Sequence, residues 1–255
     1  MTALLAIAAV LFAPTLIAPW ALRPRPWALR HPRLAVAAWL GTWLSGVFVV
    51  LALLAGVSAQ VVRDSTSPVA LSVAIHLLAW CTTVLVGCLL AVVATRYYAM
   101  TDLAAQQRWD TSVLRASATA MTEPYGVTLV RSSQPVAMSY GHHRDGAILI
   151  SQDLAAALSG EHLAAVVAHE RAHQRGHHGL LLQLAALNLA CFPRFTAARR
   201  FSDAIHLLTE LLADDAAART HGTTTVADAL DATGTYLPDG GLDLRANRLR
   251  ASTRR

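Results

Sequence analysis

Three long apolar segments fill most of the first hundred residues, at about Ala3–Ala21, Leu34–Val57 and Val69–Ala94. Each approaches or exceeds the roughly 20 residues that a helix needs to cross about 30 Å of hydrocarbon. Composition agrees: of 255 residues, 55% are hydrophobic and only 15% charged, which is too apolar for an ordinary soluble domain. The first segment has no basic n-region and carries Pro14 and Pro19, so a retained span is expected rather than a cleaved signal peptide.

All 21 basic residues are arginine, and their placement sets the expected topology. Arg23, Arg25, Arg30 and Arg33 follow the first segment, only Arg63 (beside Asp64) follows the second, and Arg96 and Arg108 follow the third. The positive-inside rule then puts the N-terminus outside and everything after the third span in the cytoplasm. The net charge of +5 lies largely in these clusters, which suit lipid headgroups. Nothing interleaves aromatic with basic residues as a nucleic-acid surface would, so no nucleic-acid partner is expected. Cys81, Cys88 and Cys191 lie in apolar stretches without a C-x-x-C pair and read as small buried hydrophobes.

The order along the chain is a membrane anchor over 1–95, a polar helical connector over 96–121, a mixed domain over 122–233 and an Arg-rich tail over 234–255. The tail is expected to be solvated. Tyr125–Val130 and Ala147–Ile150 read as short strands between the turn residues Gly126 and Gly146. The stretch from Gln134 to Met138 is extended and contains Pro135, which suits a sheet edge. From Gln152 onward the pattern is helical, with Ser159 placed to cap a helix N-terminus. A further apolar run, Gly179–Phe192, is read as a buried or interfacial helix. The 37 positions from His173 to Glu210 are too few for two crossings and a turn.

His169-Glu170-Arg171-Ala172-His173 lies in this helical region. A spacing of four brings two imidazoles to one face of a helix, and the adjacent Glu170 is placed to take a proton from a metal-bound water. Two histidines need a third protein ligand and an open position. Glu210, in Glu210-Leu211-Leu212-Ala213-Asp214, is the best candidate, with Asp214 one turn later to hold an imidazole by its second nitrogen. Asp215 points elsewhere. His177 and His178 are read as an interfacial polar pair. Which group stabilises an oxyanion is left among His206, Tyr140, His142, His143 and Arg219.

This combination resembles the membrane-anchored gluzincin metallopeptidases, among them the HtpX-type proteases, the CAAX prenyl proteases and the BlaR/MecR-type antirepressor proteases. The likeness runs over about 122–220 and includes Pro135-Val136-Ala137, the strand Ala147–Ser151, and Glu161–Ala168 leading into the motif. It implies three transmembrane helices followed by an α+β zincin-like domain with a small sheet, a mainly α membrane protein. It implies Zn2+ on His169, His173 and Glu210, Glu170 as general base, and Asp214 behind a ligand. Pro135, Val136 and Ala137 would form an edge strand that holds substrate backbone. The implied activity is endopeptidase hydrolysis of membrane or cytosolic proteins, with a repressor or a misfolded membrane protein as substrate and membrane lipid as the other partner.

Two departures narrow the likeness. HtpX-type proteases carry two further spans between the histidines and the third ligand, and no sensor domain follows here, so antibiotic-triggered regulation is not expected. The alternative is a non-catalytic membrane transducer that retains the fold, against which the intact Glu170 argues. An intramembrane site-two-type protease is a third reading. It is disfavoured because Glu161, Arg171, Gln174 and Arg175 make the motif helix polar and Leu242-Asp243-Leu244 lacks the glycine of an L-D-G ligand.

Overall fold

The computed structural model describes residues 22, 26–63, 69–116, 120–122, 127–132, 135–140, 147–236 and 241–253. Helix α1 (Pro26–Arg30) leads into two long helices, α2 (Pro32–Arg63) and α3 (Val69–Ala116). Pro26 and Pro32 each occupy a first helical position, where a missing N–H costs nothing. Among the described residues, two helices rather than three are long and apolar enough to cross a membrane, through Pro32–Ala52 and Ala79–Thr101. The span expected over Ala3–Ala21 lies outside those residues. The expected connector begins inside α3, which runs on to Ala116 because no proline interrupts it.

The described chain divides into two compact units. One takes the residues up to Thr101 together with Ala185–Ala204, and the other takes Asp102–Leu184 and Ile205–Arg255. In the first unit Trp39 packs on Phe201 with ring centroids 5.9 Å apart, and Trp43 Nε1 donates to Asn188 Oδ1 at 3.4 Å. Phe48, Trp80, Leu85 and Leu90 are exposed among the described residues. Cys81 and Cys88 are exposed on α3 instead of buried, since that helix's apolar surface is turned outward.

The second unit holds a four-stranded sheet of order β1-β2-β4-β3. Its strands are β1 (Ala120–Thr122), β2 (Val127–Val130), β3 (Ala137–Tyr140) and β4 (Ala147–Ser151). β2 runs parallel to β4, while β1 and β3 are antiparallel to their neighbours. The edge strand begins at Ala137, and Pro135 and Val136 lead into it. Proline has no N–H for a ladder, although Val136 still exchanges hydrogen bonds with Ser151. Tyr125, Gly126, Gln134 and Gly146 lie outside the described residues.

Ser151 ends β4 and caps α4 (Gln152–Ala157), its hydroxyl accepting from the Leu154 N–H. Ser159 caps α5 (Gly160–Arg175) in the same way, accepting from His162 N–H at 3.2 Å, with Glu161 in the first turn. α6 (His178–Cys191) follows. Its 14 residues are fewer than the roughly 20 a helix needs to cross hydrocarbon. The remaining helices are α7 (Thr196–His221), α8 (Thr223–Gly234) and α9 (Leu242–Thr253).

α5 lies between two cores. Val167 packs with Val127, Ile148, Ile150 and Leu154 against the sheet, and Ala165 packs with Ala217, Val226, Leu230, Ala246 and Leu249 among α7, α8 and α9. The expected solvated tail is therefore corrected. Leu242, Ala246 and Leu249, at helical spacing, bury one face of α9 in this second core.

Candidate metal centre

His169 and His173 project from one face of α5, with their Nε2 atoms 3.1 Å apart. Glu210 reaches them from α7, Oε2 lying 3.3 Å from His169 Nε2 and Oε1 3.4 Å from His173 Nε2. The two helices are held in register by the shared core, so the donors converge although 37 positions separate His173 from Glu210. A tetrahedral ion with bonds of about 2.0–2.2 Å has ligand–ligand edges of about 3.3–3.6 Å, close to all three separations.

The chemistry of the donors points the same way. His169 Nδ1 lies 2.9 Å from Asp214 Oδ1, so it donates its proton there and turns a lone pair on Nε2 toward the centre. Two imidazole nitrogens and a carboxylate oxygen then converge on one point, a donor set that suits a cation. The electrostatics express this demand. Burial lowers the affinity of His169 for a proton, but the Asp214 and Glu210 carboxylates outweigh it and raise its pKa to about 9. His173, buried beside that charge, falls to about 4. Burial opposes ionisation of Glu210, yet His169 and Arg245 hold it down at about 2.

Glu170 sits beside His169 on α5. Burial raises its pKa above the ordinary carboxylate value, against the neighbouring His169 charge and hydrogen bonds from the Ser139 hydroxyl and backbone. Ser139 belongs to β3, so the carboxylate is tied to the sheet's edge strand. Ala137, Met138 and Ser139 of that strand line a cavity of about 540 Å³ together with Glu170 and the three donors.

Two residues were missed or misread from the sequence. Arg245 of α9 is 5% exposed and grips Asp214 by two bonds, Nε to Oδ2 at 2.8 Å and Nη2 to Oδ1 at 2.7 Å. Its Nη1 lies 2.8 Å from Glu210 Oε2, so one guanidinium holds both acids of α7. The buried stripe of Leu242, Ala246 and Leu249 was the signal that α9 folds back. His178 is also 5% exposed and faces His173, so it is no interfacial residue. Asp215 does point away, to Arg248 at 2.8 Å. Of the oxyanion candidates, His206 and Arg219 are exposed and do not line the cavity, while His142 and His143 lie outside the described residues.

Residues 103–225 match the family model of peptidase family M48. The M48 match covers just under half of the chain and supports a metal-dependent peptidase. It takes in His169, Glu170, His173, Glu210 and Asp214 and stops before α9, leaving Arg245 outside. Searches of curated proteins and of solved structures give no match.

The donor geometry carries a direct prediction. Glu210→Ala should lower zinc affinity by more than the roughly 10- to 100-fold that follows loss of a ligand's supporting hydrogen bond. Competition against a chromogenic chelator measures this, and an unchanged affinity would remove Glu210 from the ligand set.

Proposed function

We propose that this chain is a zinc-dependent endopeptidase of family M48, anchored in a membrane, that hydrolyses peptide bonds of membrane or cytosolic proteins. The observation that carries the reading is the convergence of His169, His173 and Glu210 beside the buried carboxylate of Glu170. The M48 match over the same residues supports it. Held by these three ligands, a zinc ion would supply Lewis-acid polarisation and a water of lowered pKa.

The chain's own residues do the rest. Glu170 takes the proton of the attacking water and delivers it to the departing amine, a double duty suited to a carboxylate whose pKa burial has raised. Asp214 fixes His169 in the tautomer that presents Nε2. The outer edge of β3, terminal among the described strands, offers backbone groups to an extended substrate, with Pro135 and Val136 leading into it. Because Ser139 bonds Glu170, a peptide laid along that edge passes the base.

Membrane attachment rests on the apolar lengths of α2 and α3 and on their exposed side chains. Arginines flank the start of α2 and the end of α3, so the positive-inside rule places both ends, and the peptidase unit after them, in the cytoplasm. Two crossings would return the chain to its starting side, so the peptidase unit would lie on the side where α2 begins. Substrates are then proteins reached from that side, a regulatory repressor or a damaged membrane protein.

Cleavage of a generic unfolded protein by the detergent-solubilised chain tests the reading. Removing metal with a chelator should abolish cleavage, and one equivalent of zinc should restore it. Cleavage that persists in metal-free protein would refute the proposal.

A further inference from the structure

His173 lacks the carboxylate support that Asp214 gives His169. Its Nδ1 instead faces Nδ1 of His178 at 3.1 Å, with the two rings edge-to-face at 89° and centroids 4.8 Å apart. One proton must lie between those nitrogens. If His178 donated it, His173 would carry its own proton on Nε2, the atom turned toward His169 and Glu210, and could not ligate. With His178 as acceptor, His173 keeps a proton on Nδ1 and a lone pair on Nε2.

The local backbone is shaped around that ring. α5 ends at Gly176 with φ −79° and ψ −2°, a conformation open to any residue, so the glycine is not explained by backbone freedom. Space explains it. A Cβ at Gly176 would lie 2.4 Å from His178 Nε2 and 2.7 Å from its Cδ2, so the imidazole occupies the place of a side chain. The chain then turns through His177, whose φ of 52° is left-handed and uncommon for a residue with a Cβ, and returns His178 against His173. A glycine kept clear and a non-glycine residue held at positive φ both serve to seat one buried imidazole.

We infer that His178 is a positioning residue that accepts the Nδ1 proton of His173 and so holds this ligand in its metal-binding tautomer. The inference rests on the proposed metal centre and adds the group that orients its second histidine. Supporting acceptors of this kind are worth about 10- to 100-fold in metal affinity.

The test is zinc affinity of the full detergent-solubilised chain by chelator competition, with the visible spectrum of the Co2+ form as a second readout. His178→Phe keeps a ring in the site and removes the acceptor, and it should weaken zinc binding by about 10- to 100-fold and alter the Co2+ bands. His178→Gln restores an acceptor oxygen and should recover most of the loss. Gly176→Ala keeps every polar group but displaces the ring, and it should weaken binding in the same direction. Unchanged affinity in His178→Phe, or a loss that Gln does not relieve, would overturn the inference while the zinc-site reading stands. A native chain that binds no zinc would overturn both.

Discussion

Glu170→Gln is expected to lower peptide hydrolysis by about a hundred- to ten-thousand-fold, the range supplied by a positioned general base, with zinc content unchanged. The substitution is nearly isosteric, and the amide oxygen can still accept from the Ser139 hydroxyl and backbone that hold the native carboxylate. Burial raises the pKa of Glu170, which favours a group that must both take and return a proton near neutral pH. A glutamine there binds no proton, so turnover number should fall with little change in substrate KM. Single-turnover cleavage with equal zinc in native and variant chains measures the effect. Turnover equal to native would mean that another group moves the proton, and would remove Glu170 from the mechanism.

That prediction uses residues visible in the sequence, and the reason is local. His169, Glu170 and His173 lie within one helical turn, so helix geometry alone brings them together. Glu210 and Asp214 were legible by a second turn of the same kind on α7, and the shared core of α5, α7, α8 and α9 brings the two turns into register. Arg245 was not legible, because it meets Asp214 only after the chain doubles back over 31 positions. An Arg-rich stretch reads as solvated until a core is present to receive Leu242, Ala246 and Leu249. The histidine pair after Gly176 was visible, but which member turns inward depends on the positive φ at His177. In the sheet, β1 is too short to carry a pattern, and β3 starts at the third residue of Pro135-Val136-Ala137.

Arg245→Met should cost about 3–5 kcal/mol of local stability in the metal-free peptidase unit at pH 7, the loss typical of removing one partner from a buried charge cluster. Methionine fills much of the space, so the cost is electrostatic: Asp214 is fully buried, and Glu210 would lose the cation 2.8 Å away. Burial pushes the Asp214 pKa up, but the Arg245 and His169 hydrogen bonds overcome it and hold the folded value at about 2. A depressed folded pKa contributes stability that is fully present above the unfolded value of about 3.9 and is lost as pH falls through the folded value. The gap between native and variant should therefore be widest at neutral pH and narrow from about pH 4 toward 2. Zinc should also narrow it, since an ion on Glu210 replaces part of the lost positive charge. Hydrogen exchange of the α7 and α9 amides reads this opening directly. Arg245→Lys keeps the charge but cannot grip Asp214 with two bonds while reaching Glu210, so it should recover only part of the loss. Exchange rates equal to native in Arg245→Met would show that α9 closes over the site without holding it, and the guanidinium would lose its place between the two acids.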